Sequence, residues 1–177
     1  MTGIVPPGNH QLEGFRQAVT EAGVSLRAVQ RGEGFELDGV RIEALAPFPD
    51  AMAQSSNNQS LVLRLRYGDR AFLLTGDIER EVEAQLAASG DELRADVLKV
   101  AHHGSRTSST AEFLERVTPR YAVISVAAPS PFDHPHPEAL DRLRQAGARV
   151  MQTSRCGAIT ISTDGKDLQV SPYLKCE

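Results

Sequence analysis

Along this 177-residue chain, strand-like alternation of polar and apolar positions trades places with helix-like spacing from one end to the other. Leu12, Phe15, Ala18, Val19 and Ala22 recur at helical spacing and Gly23 stops them, which predicts an amphipathic helix. Residues 24–29, 35–37 and 40–45 alternate as strands, with Asp38-Gly39 as a two-residue hairpin signal, and residues 47–56 read as a loop. A second hairpin joins 61–67 to 70–74 through Gly68-Asp69. From there strands and helices alternate: a helix over 78–89 with Val82 and Leu86 inward, a strand over 95–100, a helix over 110–117 capped by Ser108 or Ser109, and a nearly continuous apolar strand over 121–126. Pro137-Glu138 opens a helix that Gly147 ends. Residues 150–153, 158–163 and 168–170 are closing strands, the last two joined at Asp164-Gly165. No repeat or domain boundary interrupts the pattern, so it predicts one α/β domain over 1–177 with mixed β-sheets and flanking helices.

Two of these strands end in side chains that bind metals. One runs into Thr75-Gly76-Asp77 and the next into His102-His103-Gly104-Ser105, so a carboxylate and two imidazoles arrive where open α/β sheets carry chemistry. An extended backbone would turn His102 and His103 to opposite sides, leaving one of them to share an ion with Asp77. Taken alone, Asp77 reads equally well as the N-cap of the helix after it, and the lesser alternative for the histidine pair is a loop that caps the next helix. His134 and His136 flank Pro135 just before a helix with Pro137 in its first turn, a setting that holds both rings in place.

Four segments in order, Asn57-Asn58-Gln59-Ser60-Leu61-Val62-Leu63, Leu74-Thr75-Gly76-Asp77-Ile78-Glu79, Leu98-Lys99-Val100-Ala101-His102-His103-Gly104-Ser105 and His134-Pro135-His136-Pro137, give the chain its resemblance to the metallo-β-lactamase-fold hydrolases. Within them it is most similar to the C-terminal domain of the ComEC DNA-uptake proteins. The resemblance implies a four-layer αββα fold. It implies Asp77 as bridging metal ligand, His103 as its partner and His134 as ligand to a second ion. His102 and His136 are implied as catalytic or substrate-contacting imidazoles, and Asn58, Ser105 and Arg106 as substrate-binding groups. The family's early His-x-His-x-Asp-His or His-x-Asp-x-Asp-His loop is missing, and His10 has no His or Asp beside it. The expectation is therefore the C-terminal portion of such a domain, truncated at its N-terminus. Residues 127–133 also depart from the Gly- and Asn-containing loop of the relatives.

Composition narrows the partners. With 41% hydrophobic and 24% charged residues the chain suits a packed core, and no apolar run reaches the roughly 20 residues that cross a bilayer. A net charge of −4 argues against a broad surface for duplex DNA but leaves room for a local arginine cluster near the site. Cys156 and Cys176 match no zinc spacing and read as ordinary thiols. By resemblance, the parent domain is a metal-dependent phosphodiesterase or nuclease using zinc or manganese on single-stranded DNA in natural transformation. It would be a soluble domain of a bacterial inner-membrane protein, partnered by the rest of its own domain and a membrane channel. This chain, short of ligands, is expected to hold metal weakly or not at all, to be nearly inactive, and to self-associate through its first helix. The alternatives are a non-catalytic module that guides DNA and a hydrolase of small phosphoesters.

Overall fold

The computed structural model describes residues 10–25, 28–50 and 55–176. A seven-stranded sheet in chain order forms its centre. Strands β1 (Gly34–Leu37), β2 (Val40–Ala46), β3 (Val62–Tyr67) and β4 (Arg70–Leu74) pair antiparallel through the two expected hairpins. From β4 onward the sheet is parallel, continuing through β5 (Val97–Lys99), β6 (Tyr121–Ile124) and β7 (Arg149–Gln152). Parallel neighbours need crossovers, and these are α2 (Arg80–Ala88), α3 (Ala111–Val117) and α4 (Pro137–Gln145). Leu73, Leu98 and Ala122 face the helices and join Ile78, Val82, Leu86, Phe113, Leu114 and Leu143 in one buried core.

The alternate residues cover the other face. Val97, Tyr121 and Met151, with Phe72 and Val123, pack against a two-stranded hairpin, β8 (Ile159–Thr163) and β9 (Leu168–Pro172), through Ile159, Ile161, Leu168 and Val170. A short helix, α5 (Thr153–Cys156), which the sequence pattern does not announce, leads into the hairpin. The first helix, α1 (His10–Glu21), forms as its spacing predicts. Most of the described residues in it are exposed, including Phe15 at 45%.

Several expectations need correction. A strand over 24–29 is not formed among the described residues: Ala28 makes a single bridge and a turn between Gln30 and Glu33 follows. Ser108 and Ser109 do not cap α3 with their side chains. Thr110 takes the N-cap position, and the backbone N–H groups of Ser109 and Thr110 donate to the Glu83 carboxylate at 2.5 and 2.7 Å. The cysteines are not separate thiols. Cys156 and Cys176 form a disulfide, because the chain after β9 turns back over α5, Leu174 N–H donating to the Cys156 carbonyl at 2.8 Å.

Two predictions follow from these tethers. Glu83 has no exposed surface, and burial pushes its carboxyl above the usual range while the two amides and Arg142 oppose the shift. Replacing it with Ala strands two buried amides and should lower the unfolding free energy by about 3–5 kcal/mol in urea titration. A raised folded value means that this group's contribution is full below the unfolded carboxyl range and fades as pH rises through the folded value. The gap between wild type and Glu83→Gln should therefore shrink from pH 5 to pH 8.

The disulfide closes a separation of 20 residues. Cys156→Ser should destabilise the chain by about 2–4 kcal/mol, with faster amide hydrogen exchange concentrated in β8 and β9.

Candidate active site

Three loops leave the C-terminal ends of β4, β5 and β6 and meet at one edge of the sheet. Gly76, at φ +57°, turns the chain after β4, and a Cβ there would lie 2.7 Å from the Ser60 Cβ. Ser60 Oγ accepts the Asp77 N–H at 3.0 Å. Asp77 is not a helix cap: Glu79 holds the N-cap position of α2, two residues on.

After β5 the backbone is left-handed at His102 (φ 48°) and His103 (φ 54°), not extended. The expected opposite orientation therefore gives way to a tight turn, in which His102 N–H donates to the Gly76 carbonyl at 3.2 Å and His136 N–H to the Gly104 carbonyl at 2.9 Å. These bonds tie the Asp77, His102–His103 and His134–His136 loops together.

The turn brings His103 Nε2 to 3.7 Å from Asp77 Oδ1. His103 Nδ1 lies 2.7 Å from the Ser125 carbonyl, which can only accept, so Nδ1 carries a proton and donates it. In a neutral ring, Nε2 then faces Asp77 with a lone pair. Either a proton on Nε2 or a metal ion with bonds of about 2 Å to each atom would join the two acceptors. The His134 ring stacks 6.5 Å from His103 and meets His102 and His136 edge-on at 5.5 and 4.9 Å, measured between centroids. Burial, then the imidazoles of His136, His102 and His103, hold His134 below the usual histidine range, with Asp77 opposing. Among the described residues, however, no three His, Cys, Asp or Glu side chains are arranged to hold one ion. The donors present suit a divalent metal in kind and fall short of a complete coordination shell.

The remaining site residues divide by how free they are. His102 Nε2 is 3.5 Å from Asn57 Nδ2, and its Nδ1, 3.6 Å from Glu79 Oε1, is buried beyond hydrogen-bonding range. His136 Nδ1 is likewise buried without a partner. Asn58, expected to bind substrate, is 2% exposed and is used inside the protein: its Oδ1 accepts the Glu79 N–H at 2.8 Å and its Nδ2 donates to Glu81 at 3.2 Å. Ser105 is buried against Thr107, while Arg106 is exposed.

The sequence reading passed over Glu79, Lys99 and Phe132. Glu79 gathers the loops, accepting from Ser55 and Thr107 at 2.9 Å each. Lys99 lies within the field of Asp77, and burial pushes its amine below the usual lysine range while Asp77 opposes the shift. A lysine inside an apolar strand run was the signal available for it. Phe132, 73% exposed, stands over a cleft of about 480 Å³ that opens beside His103 and His134.

The seven-stranded sheet with flanking helices and an Asp–His edge makes this a mixed α/β domain. Within that class the chain is a ComEC-like relative of the competence proteins. It is 38% identical over 144 residues to ComE operon protein 3 of Bacillus subtilis, covering 81% of this chain and 18% of that protein. It is 36% identical to competence protein ComA of Neisseria gonorrhoeae, over 71% of this chain and 18% of that one. Recombination protein 2 of Haemophilus influenzae matches at 30% over 74% of this chain and 16% of its own length. The chain thus spans less than a fifth of each of these relatives. No family model matches the sequence. Among solved structures, one assigned to a metal-dependent hydrolase of Parabacteroides distasonis overlays with a TM-score of 0.49 at 14% identity, over 78% of this chain and 61% of that one. A diphosphatase of the PhnP family gives 0.36 at 19% identity, over 81% and 52%.

Gly104, at φ +82°, tests how the loops are held. A Cβ there would meet Pro135 Cβ at 2.6 Å. Gly104→Ala should destabilise the fold by about 1–3 kcal/mol and shift the imidazole NMR signals of His134 and His136.

Proposed function

We propose that this chain is part of a metal-dependent phosphodiesterase that acts on single-stranded DNA in a DNA-uptake apparatus. The observation that carries the reading is the pairing of Asp77 with His103 from two different strand ends, 3.7 Å apart, in a relative of competence proteins. Asp77 and His103 would hold one ion and His134 would face a second, with further donors coming from outside these 177 residues. A bound divalent ion would activate water and polarise a phosphoryl oxygen. The protein's own part is positional. Ser125 fixes the His103 tautomer, Asn57 contacts His102 Nε2, and exposed Arg106 offers a guanidinium to a phosphate. His136 keeps a buried, unpartnered nitrogen beside His134 for a proton or a ligand atom.

The setting we infer is a domain of a membrane-bound transporter. No helix among the described residues is long and apolar enough to cross a membrane. The Cys156–Cys176 disulfide fits an oxidising compartment, hence the outer side of the cytoplasmic membrane. A second reading, a non-catalytic module that guides DNA, is favoured by the lack of three metal-holding donors among the described residues.

The test is cleavage of a labelled single-stranded oligonucleotide with manganese or zinc. The 177-residue chain should bind metal weakly and cleave hardly at all. A longer form that carries a His-rich ligand loop should cleave roughly 100-fold faster or more, and Asp77→Ala should abolish this. Strong cleavage by the short chain would remove the need for outside donors. An inactive long form that still binds the strand would favour the guiding module, and turnover of small phosphodiesters alone would favour a small substrate.

A further inference from the structure

The pocket lined by most arginines is not near the site, where the net charge left room for a cluster, but at the opposite end of the sheet from Asp77 and His103. A cavity of about 440 Å³ lies where the parallel strands begin, and Arg64, Arg66, Arg70, Arg94 and Arg120 line it. Three carboxylates, Asp69, Glu92 and Asp96, share the lining, so positive charge is in excess here although the whole chain carries −4.

The five arginines are not equivalent. Arg64 and Arg70 are committed. Arg64 donates twice to the Arg94 carbonyl, at 3.3 and 3.2 Å, and Arg70 pairs with Asp96 at 2.9 Å. They make a fixed floor. Arg66, Arg94 and Arg120 are exposed around it. Arg66 uses only its Nε, on the Gly68 carbonyl, and among the described residues neither Arg94 nor Arg120 has a hydrogen-bonded or ion-paired guanidinium. The Arg120 guanidinium lies over the Tyr121 ring at 5.2 Å, and three guanidinium groups that keep N–H donors to spare around a concave, partly neutralised floor suit phosphate oxygens, which accept paired N–H bonds.

We propose that this cleft is a second anion site that holds the phosphodiester backbone of a single nucleic-acid strand away from the active edge. The choice of a nucleic-acid strand rests on the function proposed above, while the charge argument stands without it. Recession favours a single strand, because a cavity of this size admits a phosphate with its sugars but not the face of a duplex or a bilayer. Contact with the backbone alone makes the site indifferent to base identity.

The experiment is fluorescence anisotropy of the 177-residue chain, without metal, with a labelled oligo(dT) and with an abasic phosphodiester of equal length. Both should bind alike. Three neutralised phosphates predict that affinity falls about 20-fold between 50 and 200 mM salt. Arg66→Gln, Arg94→Gln and Arg120→Gln together should weaken binding at least about tenfold and flatten the salt dependence, with the melting temperature unchanged. The charge-matched control is Arg144→Gln, Arg149→Gln and Arg155→Gln. An equal loss in the control would overturn the proposal. So would binding that survives the cleft variant but disappears in Asp77→Asn with His103→Gln, a strong preference for oligo(dT) over the abasic chain, or displacement of the oligonucleotide by phosphatidylserine vesicles. Failure of the cleavage test with success here would leave the cleft standing as a strand-binding site without a nuclease.

Discussion

A buried carboxylate organises the part of the molecule on which the active edge depends. Glu83 sits on α2 with no exposed surface, and its two oxygens accept the backbone N–H groups that start α3. Arg142, from α4, donates to the carbonyls of Ser108 and Ser109 at 2.8 Å and of Arg106 at 3.1 Å. One acid and one base thus fasten the segment after His103 from both sides, using donors and acceptors that the helix start would otherwise leave open. Burying a charge is unfavourable unless its partners are fixed, so the arrangement holds only with α2, α3 and α4 packed together. A loop fastened that firmly can keep a left-handed pair of histidines in register with the strand end next to it.

The strain in that loop has the same logic. His102 and His103 both occupy a backbone region that non-glycine residues rarely adopt, and the neighbouring loops tie this turn down through the Gly76 carbonyl, which accepts from His102, and the His136 N–H, which donates to Gly104. Gly104 packs so closely on Pro135 that no side chain fits between them. The result is four imidazoles and one carboxylate drawn from three loops that are hydrogen-bonded to one another.

Much of the fold was legible because its signals are local. Both hairpins carry two-residue turn signals, and the apolar run at 121–126 marks the strand that became β6 between two covered faces. The meeting of Asp77 with the histidines was also accessible, since strand ends in a parallel sheet share an edge. What escaped depends on long-range partners. Glu83 looks like any helix-surface acid until Ser109 and Thr110 arrive. Asn58 looks free until Glu79 and Glu81 close on it, and a disulfide between residues 156 and 176 is invisible until β8 and β9 fold back. The turn at His102 was misjudged for a related reason: adjacent histidines after a strand suggest continuation, whereas here His102 donates to the carbonyl of Gly76 and accepts from Ser105 within a tight turn.

The sheet also keeps two incompatible chemistries apart. Its C-terminal edge collects acceptors, Asp77, the imidazole nitrogens and the Ser125 carbonyl, which suit a cation. Its opposite edge collects guanidinium groups, which suit an anion. Were Arg70 near Asp77, the two would pair and the carboxylate would be closed to a metal. β4 prevents this by its length, since the four steps between its five residues, at about 3.3 Å each, put roughly 13 Å of strand between Arg70 and the start of the Asp77 loop, beyond the screening distance of about 8 Å at physiological salt. Asp77 stays open to the site, while Arg66, Arg94 and Arg120 stay open to solvent or a ligand. The extended geometry of a strand, which carries no chemistry itself, sets the separation on which both edges rely.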